Sequence, residues 1–208
     1  RLTGSVTTKG NKRRYPLNSG LARIHPSQVA VIVPIYNAAD DLDICIRRLA
    51  QYTPSDMEIL LIDDASPDPR VANLLTEAEK LRGFKILRND ENMGFTRTVN
   101  RGIDEIGQKH ALLLNSDARV TPGWAQGMLR AATSRPRVAT VTAMSDRAGA
   151  FSAPKIGNDN TLPDGVDEIT YARAFRRRSL GLFPVVPTGN GFCMFVNREC
   201  IKDVGTLD

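Results

Sequence analysis

Val29-Ala-Val-Ile-Val-Pro-Ile-Tyr-Asn37 and, beyond an amphipathic stretch, Glu58-Ile-Leu-Leu-Ile-Asp-Asp64 decide the fold. Each is a short, nearly continuous aliphatic run, the pattern of a strand covered on both faces rather than one facing water. Pro34 has no N–H to give a ladder, so the first strand is predicted to stop at Val33. Between the runs Leu42, Cys45, Ile46 and Leu49 recur at helical spacing, with Asp40, Asp41 and Asp43 near the end where the helix dipole favours anions. The alternation continues outward. Val71, Leu74, Leu75, Ala78 and Leu81 mark a second helix, Lys85-Ile-Leu87 a third strand, and Phe95, Val99, Ile103 and Ile106 a third helix. Ala111-Leu-Leu-Leu114 is a fourth strand. Thr121-Pro122 reads as an N-cap with proline at the first helical position, opening a helix to about Ser134 before a strand near Val138–Ala143. Strands separated by helices of this length predict an α/β protein with a mostly parallel central sheet flanked by helices. From Ser145 to Pro187 the rhythm is lost except for a basic helical stretch, Tyr171–Ser179. Regular structure resumes at Phe192–Val196 and Arg198–Asp203.

Composition narrows the function. With 41% hydrophobic and 25% charged residues among 208, the chain is neither disordered nor fibrous, and no apolar run reaches the length of a membrane span. Three cysteines without CxxC spacing and two histidines argue against a disulfide framework and a histidine-built zinc site. The net charge of +5 is no sign of nucleic-acid binding. Residues 1–28 hold six bases and no acid, whereas the remaining 180 hold 22 bases and 23 acids. The basic leader, rich in Gly, Ser, Thr and Asn, is expected to be a linker or poorly ordered arm. It lacks the apolar segment of a secretory signal, which predicts a cytoplasmic location. A basic arm can also touch anionic lipid, so the inner membrane face is the alternative address. The missing initiator Met suggests a piece of a longer chain.

In an open parallel sheet, ligands collect outside the carboxyl ends of the strands, where the strand order reverses. Pro34, Ile35, Tyr36 and Asn37 follow the first strand, Asp63-Asp-Ala-Ser-Pro67 the second, and Asn115-Ser-Asp117 the fourth. Singly, such residues cap helices or build turns. Gathered in one crevice, Asp63, Asp64 and Asp117 would repel one another unless a cation joined them, and oxygen ligands without His or Cys suit Mg2+ or Mn2+. Asn92-Met-Gly-Phe-Thr96 opens the third helix, where Gly94 would let backbone N–H groups approach an anion. Arg97 either adds a contact to that anion or lies solvated on the helix. Metal, helix N-terminus and crevice together read as a nucleoside-diphosphate site. No GxGxxG follows the first strand and no GxxxxGK[ST] occurs, which speaks against a dinucleotide dehydrogenase and a P-loop NTPase.

Four linked motifs carry a family resemblance. Val31-Ile-Val-Pro-Ile-Tyr-Asn37, Leu61-Ile-Asp-Asp-Ala-Ser66, Asn92-Met-Gly-Phe with Asn100-Arg-Gly102, and Leu113-Leu-Asn-Ser-Asp117 followed by Thr121-Pro-Gly-Trp124 resemble family-2 glycosyltransferases of the Rossmann-like GT-A fold. The resemblance implies a nucleotide-sugar-binding glycosyltransferase domain over residues 29–208. By position it implies that Pro34, Tyr36 and Asn37 flank the base and ribose, and that Asp63 and Asp64 accept hydrogen bonds from them. Gly94, Arg97 and Asn100 belong to the nucleotide side. Asn115-Ser116-Asp117 stands where the family has its DxD-type motif, with Asp117 as the metal acid and an amide in the first acidic place. Gly189-Asn190-Gly191 resembles the turn beside the donor sugar, and Trp124 reads as packing.

The implied reaction moves a sugar from a nucleoside-diphosphate sugar, of UDP or dTDP, to a hydroxyl of a glycan or lipid-linked acceptor in polysaccharide or glycoconjugate biosynthesis. It involves no nucleic acid partner and is expected to be metal-assisted and inverting. Inversion needs a carboxylate to take the acceptor's proton. In the family that acid follows the position of Gly205-Thr-Leu-Asp208, so the base is expected beyond Asp208, with the acceptor part missing. The other readings are a sugar nucleotidyltransferase and a non-catalytic nucleotide-sugar-binding or interaction module. Residues 145–187 are expected either to cover the site, with Arg173, Arg176, Arg177 and Arg178 reaching diphosphate oxygens, or to form a surface helix with a solvated basic face.

Overall fold

The computed structural model describes residues 23–81 and 83–208. Among these residues six strands form one sheet: β1 (Val29–Ile35), β2 (Glu58–Asp63), β3 (Phe84–Arg88), β4 (His110–Leu114), β5 (Thr140–Thr142) and β6 (Cys193–Val196). Their order is β3-β2-β1-β4-β6-β5. The first four are parallel, and β6 runs antiparallel to both β4 and β5. Helices α1 (Ala39–Tyr52), α2 (Pro69–Glu79), α3 (Phe95–Glu105) and α4 (Trp124–Ala132) make the crossovers, followed by α5 (Glu168–Arg178) and α6 (Arg198–Val204). The chain builds outward from β1 to β2 and β3, then returns past β1 to lay down β4. The strand order therefore reverses between β1 and β4.

Alternation along β1 sorts the core. Val29, Val31, Val33 and Ile35 pack with Leu42, Leu49, Leu75 and Trp124, the layer of α1, α2 and α4. Ala30 and Ile32 pack with Val99, Ile103 and Ile201, the layer of α3 and α6. Both faces of β1 are covered, which is why its sequence shows no polar alternation.

The strand does not stop at Val33. It runs through Pro34, opposite Ile62, to Ile35, whose carbonyl accepts from Asp64 N at 2.8 Å. Residue 35 bonds toward β2, so residue 34 faces the other side, where pairing with β4 has already ended at Ile32. The N–H that proline lacks has no ladder partner to lose. The fourth crossover also differs from expectation. Thr121–Trp124 is a turn closed by Trp124 N on Thr121 O at 3.1 Å, and α4 starts only at Trp124, with Gly123 at φ 74° as its cap. The Thr121-Pro122 signal lies a few residues ahead of the helix, and the left-handed conformation of Gly123 sets its start.

By its charge and composition the basic arm spans residues 1–28. Residues 1–22 lie outside the described residues, whereas Ile24 packs against the core and Pro26–Gln28 forms a 3-10 turn capped by His25. The folded body therefore begins before Val29, because Ile24 has an apolar side chain to bury.

Gly102 sets how closely α3 approaches the sheet. A Cβ there would lie 2.6 Å from Ile32 Cγ2 and 2.8 Å from Ile62 Cδ1. Alanine improves helix propensity by up to about 1 kcal/mol, but overpacking costs about 1–3 kcal/mol. Gly102→Ala is expected to destabilise the protein by about 1–2 kcal/mol net, read as a lower denaturant midpoint. An unchanged or raised midpoint would show that α3 can move away from the sheet.

Candidate functional site

The loops after β1, β2 and β4 flank the reversal point, and hydrogen bonds stitch the first two to each other. Asn37 N donates to Ser66 Oγ at 2.9 Å, and Ser66 N donates to Asp63 Oδ1 at 2.9 Å. Asn37 and Ala38 both hold positive φ, 60° and 55°, so the chain turns sharply out of β1. Tyr36, 50% exposed, stands beside this turn as an aromatic face open to solvent.

The two acids of the β2 exit are buried and do different things. Asp64 closes on the loop before α3, where its carboxylate accepts from Met93 N and Gly94 N, both at 2.9 Å, and from Asn89 Nδ2 at 2.6 Å. Burial alone would raise its pKa. The hydrogen bonds from Met93, Asn89, Thr98 and Gly94 together outweigh burial and hold it below the usual carboxylate range. The anion at the positive end of α3 is thus a side chain of the protein. The backbone donors of Met93 and Gly94, expected from the sequence to cradle a diphosphate, are already engaged. Asp63 keeps one oxygen without a hydrogen-bond partner: Oδ2 is buried, 3.2 Å from Arg88 Nη1 but outside hydrogen-bonding alignment. The Arg88 side chain that pairs with it is half-exposed, whereas Asp63 is buried.

The β4 exit is a turn. Asn115 N donates to Phe192 O at 2.8 Å and Ala118 N to Asn115 O at 3.1 Å, which leaves Ser116 half-buried and Asp117 exposed at its corner. Beneath it lies Cys45, whose thiol is pushed up to about 12 by burial and, second, by the Asp117 charge. The segment Gly189-Asn190-Gly191 completes the ring. Asn190 N donates to Thr142 Oγ1 at 3.0 Å, and Asn190 Oδ1 accepts from Phe192 N at 3.2 Å. A Cβ on Gly189 would meet Thr142 Oγ1 at 3.0 Å and Met194 Sδ at 3.1 Å, whereas one on Gly191 would only touch Phe95 at 3.9 Å. Small size matters at the first glycine. The second places the turn against the start of α3.

Two candidates are turned elsewhere. Asn100 grips the backbone of Leu207 with both ends of its amide, donating to Leu207 O at 2.6 Å and accepting from Leu207 N at 3.0 Å. Arg97 is exposed on α3 beside Met93, Asn100 and Arg101. At about 100° per residue, Arg97 lies some 200° around the helix from Phe95, which faces Gly191. The sequence reading had put both on the nucleotide side; the helical phase and the Leu207 clasp give them other surroundings. Pro34 sits in the strand rather than in the loop after it.

Sequence reasoning missed Arg88, Asn89 and Thr98. Asn89 is buried and donates to both Asp64 and Thr98, and Arg101 Nη1 donates to its side-chain Oδ1. It follows β3 directly, so inspecting the third strand exit as well as the others would have found it.

Helix α5 is fastened to the body rather than loose above the crevice. Glu168, in its first turn, is bonded by Arg48 at 3.0 Å and Arg119 at 2.8 Å. Near its other end Arg176 lies over Gly123, where a Cβ would fall 1.9 Å from the guanidinium Nη1. Arg176 is thus directed at the α4 cap. The sequence could not foresee this, because Arg48 and Arg119 lie far from Glu168 along the chain.

Among the described residues no three His, Cys, Asp or Glu side chains gather as a metal cluster. The oxygens of Asn115, Ser116 and Asp117 are a hard donor set with one full charge. That set suits a divalent ion completed by phosphates of a bound substrate, and not one held by protein alone.

Comparison with known proteins agrees with this architecture. Over 182 residues the chain is 22% identical to poly-beta-1,6-N-acetyl-D-glucosamine synthase of Staphylococcus epidermidis, covering 86% of this chain and 42% of that protein. It is 36% identical over 104 residues to polypeptide N-acetylgalactosaminyltransferase 16 of Mus musculus, covering 49% of this chain and 18% of the relative. The chain thus spans less than half the length of these relatives. In structure, GalNAc-T7 with UDP, GalNAc and Mn2+ superposes with a TM-score of 0.62 at 17% identity, covering 92% of this chain and 38% of that one. The mannosyltransferase PcManGT from Pyrobaculum calidifontis, in complex with GDP-Man and Mn2+, gives 0.58 at 18% identity, over 91% and 50%. The sheet, its order and its crossovers are those of the GT-A glycosyltransferase fold. The model for Glycosyl transferase family 2 matches residues 30–205, and the chain belongs to that family.

Proposed function

We propose that this chain is the donor-binding part of a glycosyltransferase that moves a sugar from a nucleoside-diphosphate sugar to the hydroxyl of a glycan or lipid-linked acceptor in polysaccharide or glycoconjugate biosynthesis. The observation that carries this reading is the stitched crevice at the strand-order reversal, with Asp117 exposed at its β4 corner and Tyr36 at its β1 rim. Tyr36 offers a stacking face for the base. Asp63 Oδ2, ion-paired with Arg88 but without a hydrogen-bond donor, is an acceptor for an N–H donor such as the imide of uracil or thymine once the arginine swings aside. This favours UDP or dTDP. Gly189-Asn190-Gly191 would flank the sugar, and at Gly191 a Cβ would touch only Phe95, at 3.9 Å.

Asp117, with the oxygens of Asn115 and Ser116, would hold Mg2+ or Mn2+ together with the diphosphate. When bound, such an ion stabilises the charge that develops on the leaving diphosphate. As the bond from the anomeric carbon to the diphosphate breaks, the acceptor oxygen bonds that carbon from the opposite face. Its proton passes to a carboxylate base, with inversion at the anomeric centre.

Calorimetric titration with UDP and dTDP tests the reading. The chain is expected to bind at least one of them about a hundredfold or more tightly in Mn2+ or Mg2+ than in chelator. No binding of either, or equal affinity with and without the ion, would overturn the metal-bridged site.

A further inference from the structure

Helix α5 ends in Arg176-Arg-Arg178 and leads into Leu180-Gly-Leu-Phe-Pro-Val-Val186. So apolar a run would ordinarily sit in a core. Here Leu180 is 84% and Val185 79% exposed, with Leu182 and Val186 also in solvent. Four aliphatic side chains forgo the free energy of burial on one short segment, a cost that an exposed surface bears where it meets something apolar. The segment is held in place: Arg135 donates to the carbonyl of Phe183, and Gly181 N donates to Ser179 Oγ at 3.2 Å.

The charge along this part of the sequence is one-sided. Between Glu168 and Glu199 the sequence holds Arg173, Arg176, Arg177, Arg178 and Arg198 and no acid. Arg135 reaches the segment itself, and Arg130 is near enough to Arg176 for the two charges to repel. The arginines of the last turn also stand at the negative end of α5, which favours cations there. The combination is specific in kind. Residues 179–186 form neither helix nor strand, so they offer no sheet edge or helix face to a protein partner. A bilayer interface requires no shape complementarity: it takes apolar side chains at headgroup depth and attracts arginine to lipid phosphates. The basic leader, by its charge, cannot complement this patch either.

We propose that the last turn of α5 and residues 180–186 form a membrane-contact surface, in which Leu180, Leu182, Val185 and Val186 enter the headgroup layer of an anionic bilayer and Arg177 and Arg178 pair with its phosphates. This contact is independent of donor binding and needs no membrane-spanning helix; among the described residues none is long and apolar enough to be one.

Flotation of the full 208-residue chain with vesicles of phosphatidylcholine, with and without phosphatidylglycerol, tests it. Binding is expected to the anionic vesicles and to be weak on the neutral ones. Each arginine near an anionic surface strengthens binding about fivefold, so Arg177→Ala with Arg178→Ala should weaken it about thirtyfold. Leu182→Asn with Val185→Asn should weaken it about tenfold or more on the same vesicles. Both variants should keep the parent's melting midpoint. Failure of the parent to bind anionic vesicles would overturn the proposal. So would variants that bind as the parent does, since the leader would then carry the attraction. A lipid-free dimer that Leu182→Asn with Val185→Asn dissociates would identify a protein-docking face instead, and a lowered midpoint would show that these side chains are packed.

Discussion

The Asp117→Ala variant is expected to bind UDP no more tightly in Mn2+ than in chelator, a loss of about a hundredfold or more from the parent's affinity in Mn2+. Its melting midpoint should move by no more than about 1 °C. The two halves of this expectation rest on different observations. Asp117 is exposed and makes no hydrogen bond that holds its turn; those run between backbone groups, from Asn115 to Phe192 and from Ala118 to Asn115. Removing its side chain should therefore leave the fold alone. For the ion the same residue is the one full charge at the β4 exit, and Asn115 and Ser116 offer only neutral oxygens. A hard divalent ion without a carboxylate keeps its waters rather than bridging to phosphate. Asn115→Ala should cost much less, about tenfold, because it removes a neutral oxygen. Metal-dependent binding that survives in Asp117→Ala would move the ion to other ligands, and a large fall in midpoint would show that Asp117 is structural.

How far the sequence could be read depended on the range of the interaction. The parallel sheet was legible because β1 and β2 are aliphatic on both faces, a local pattern with one structural meaning. So was the placement of Asp63, Asp64 and Asp117, since strand exits follow from strand positions. What each acid does was not. Asp64 turned inward to cap the Met93–Gly94 loop, and that pairing joins residues about thirty apart in sequence. Asn100 looked like part of the nucleotide motif, yet it clasps Leu207, over a hundred residues away. The α5 arginines suggested a cover over diphosphate, whereas Glu168 and Arg176 fix the helix to α1 and α4 through contacts no periodicity reveals. Motif position located the residues, and hydrogen-bond partners decided their work.

Asp64→Ala is expected to lower stability by about 3 kcal/mol near neutral pH, because it leaves the Met93 and Gly94 N–H groups and the Asn89 amide without their acceptor. Asp64→Asn should fall between this variant and the parent: it keeps the volume and one acceptor oxygen, but turns an NH2 donor toward groups that are themselves donors. Acid distinguishes this account from simple packing. The folded pKa of Asp64 is depressed below its unfolded value, despite burial, by the hydrogen bonds it accepts. Its contribution is therefore complete above the unfolded carboxylate pKa of about 3.9 and is lost as pH falls from there through the folded value. Urea denaturation of parent and Asp64→Asn should show a stability gap that is constant from neutral pH down to about pH 5 and narrows below about pH 4. A gap unchanged in acid would mean that the carboxylate's charge is not what holds the loop. If the gap narrows as expected, then the positive end of α3 is neutralised from within the protein. A diphosphate in the crevice must then find its charge partners at the β4 exit, where Asp117 and its ion would stand.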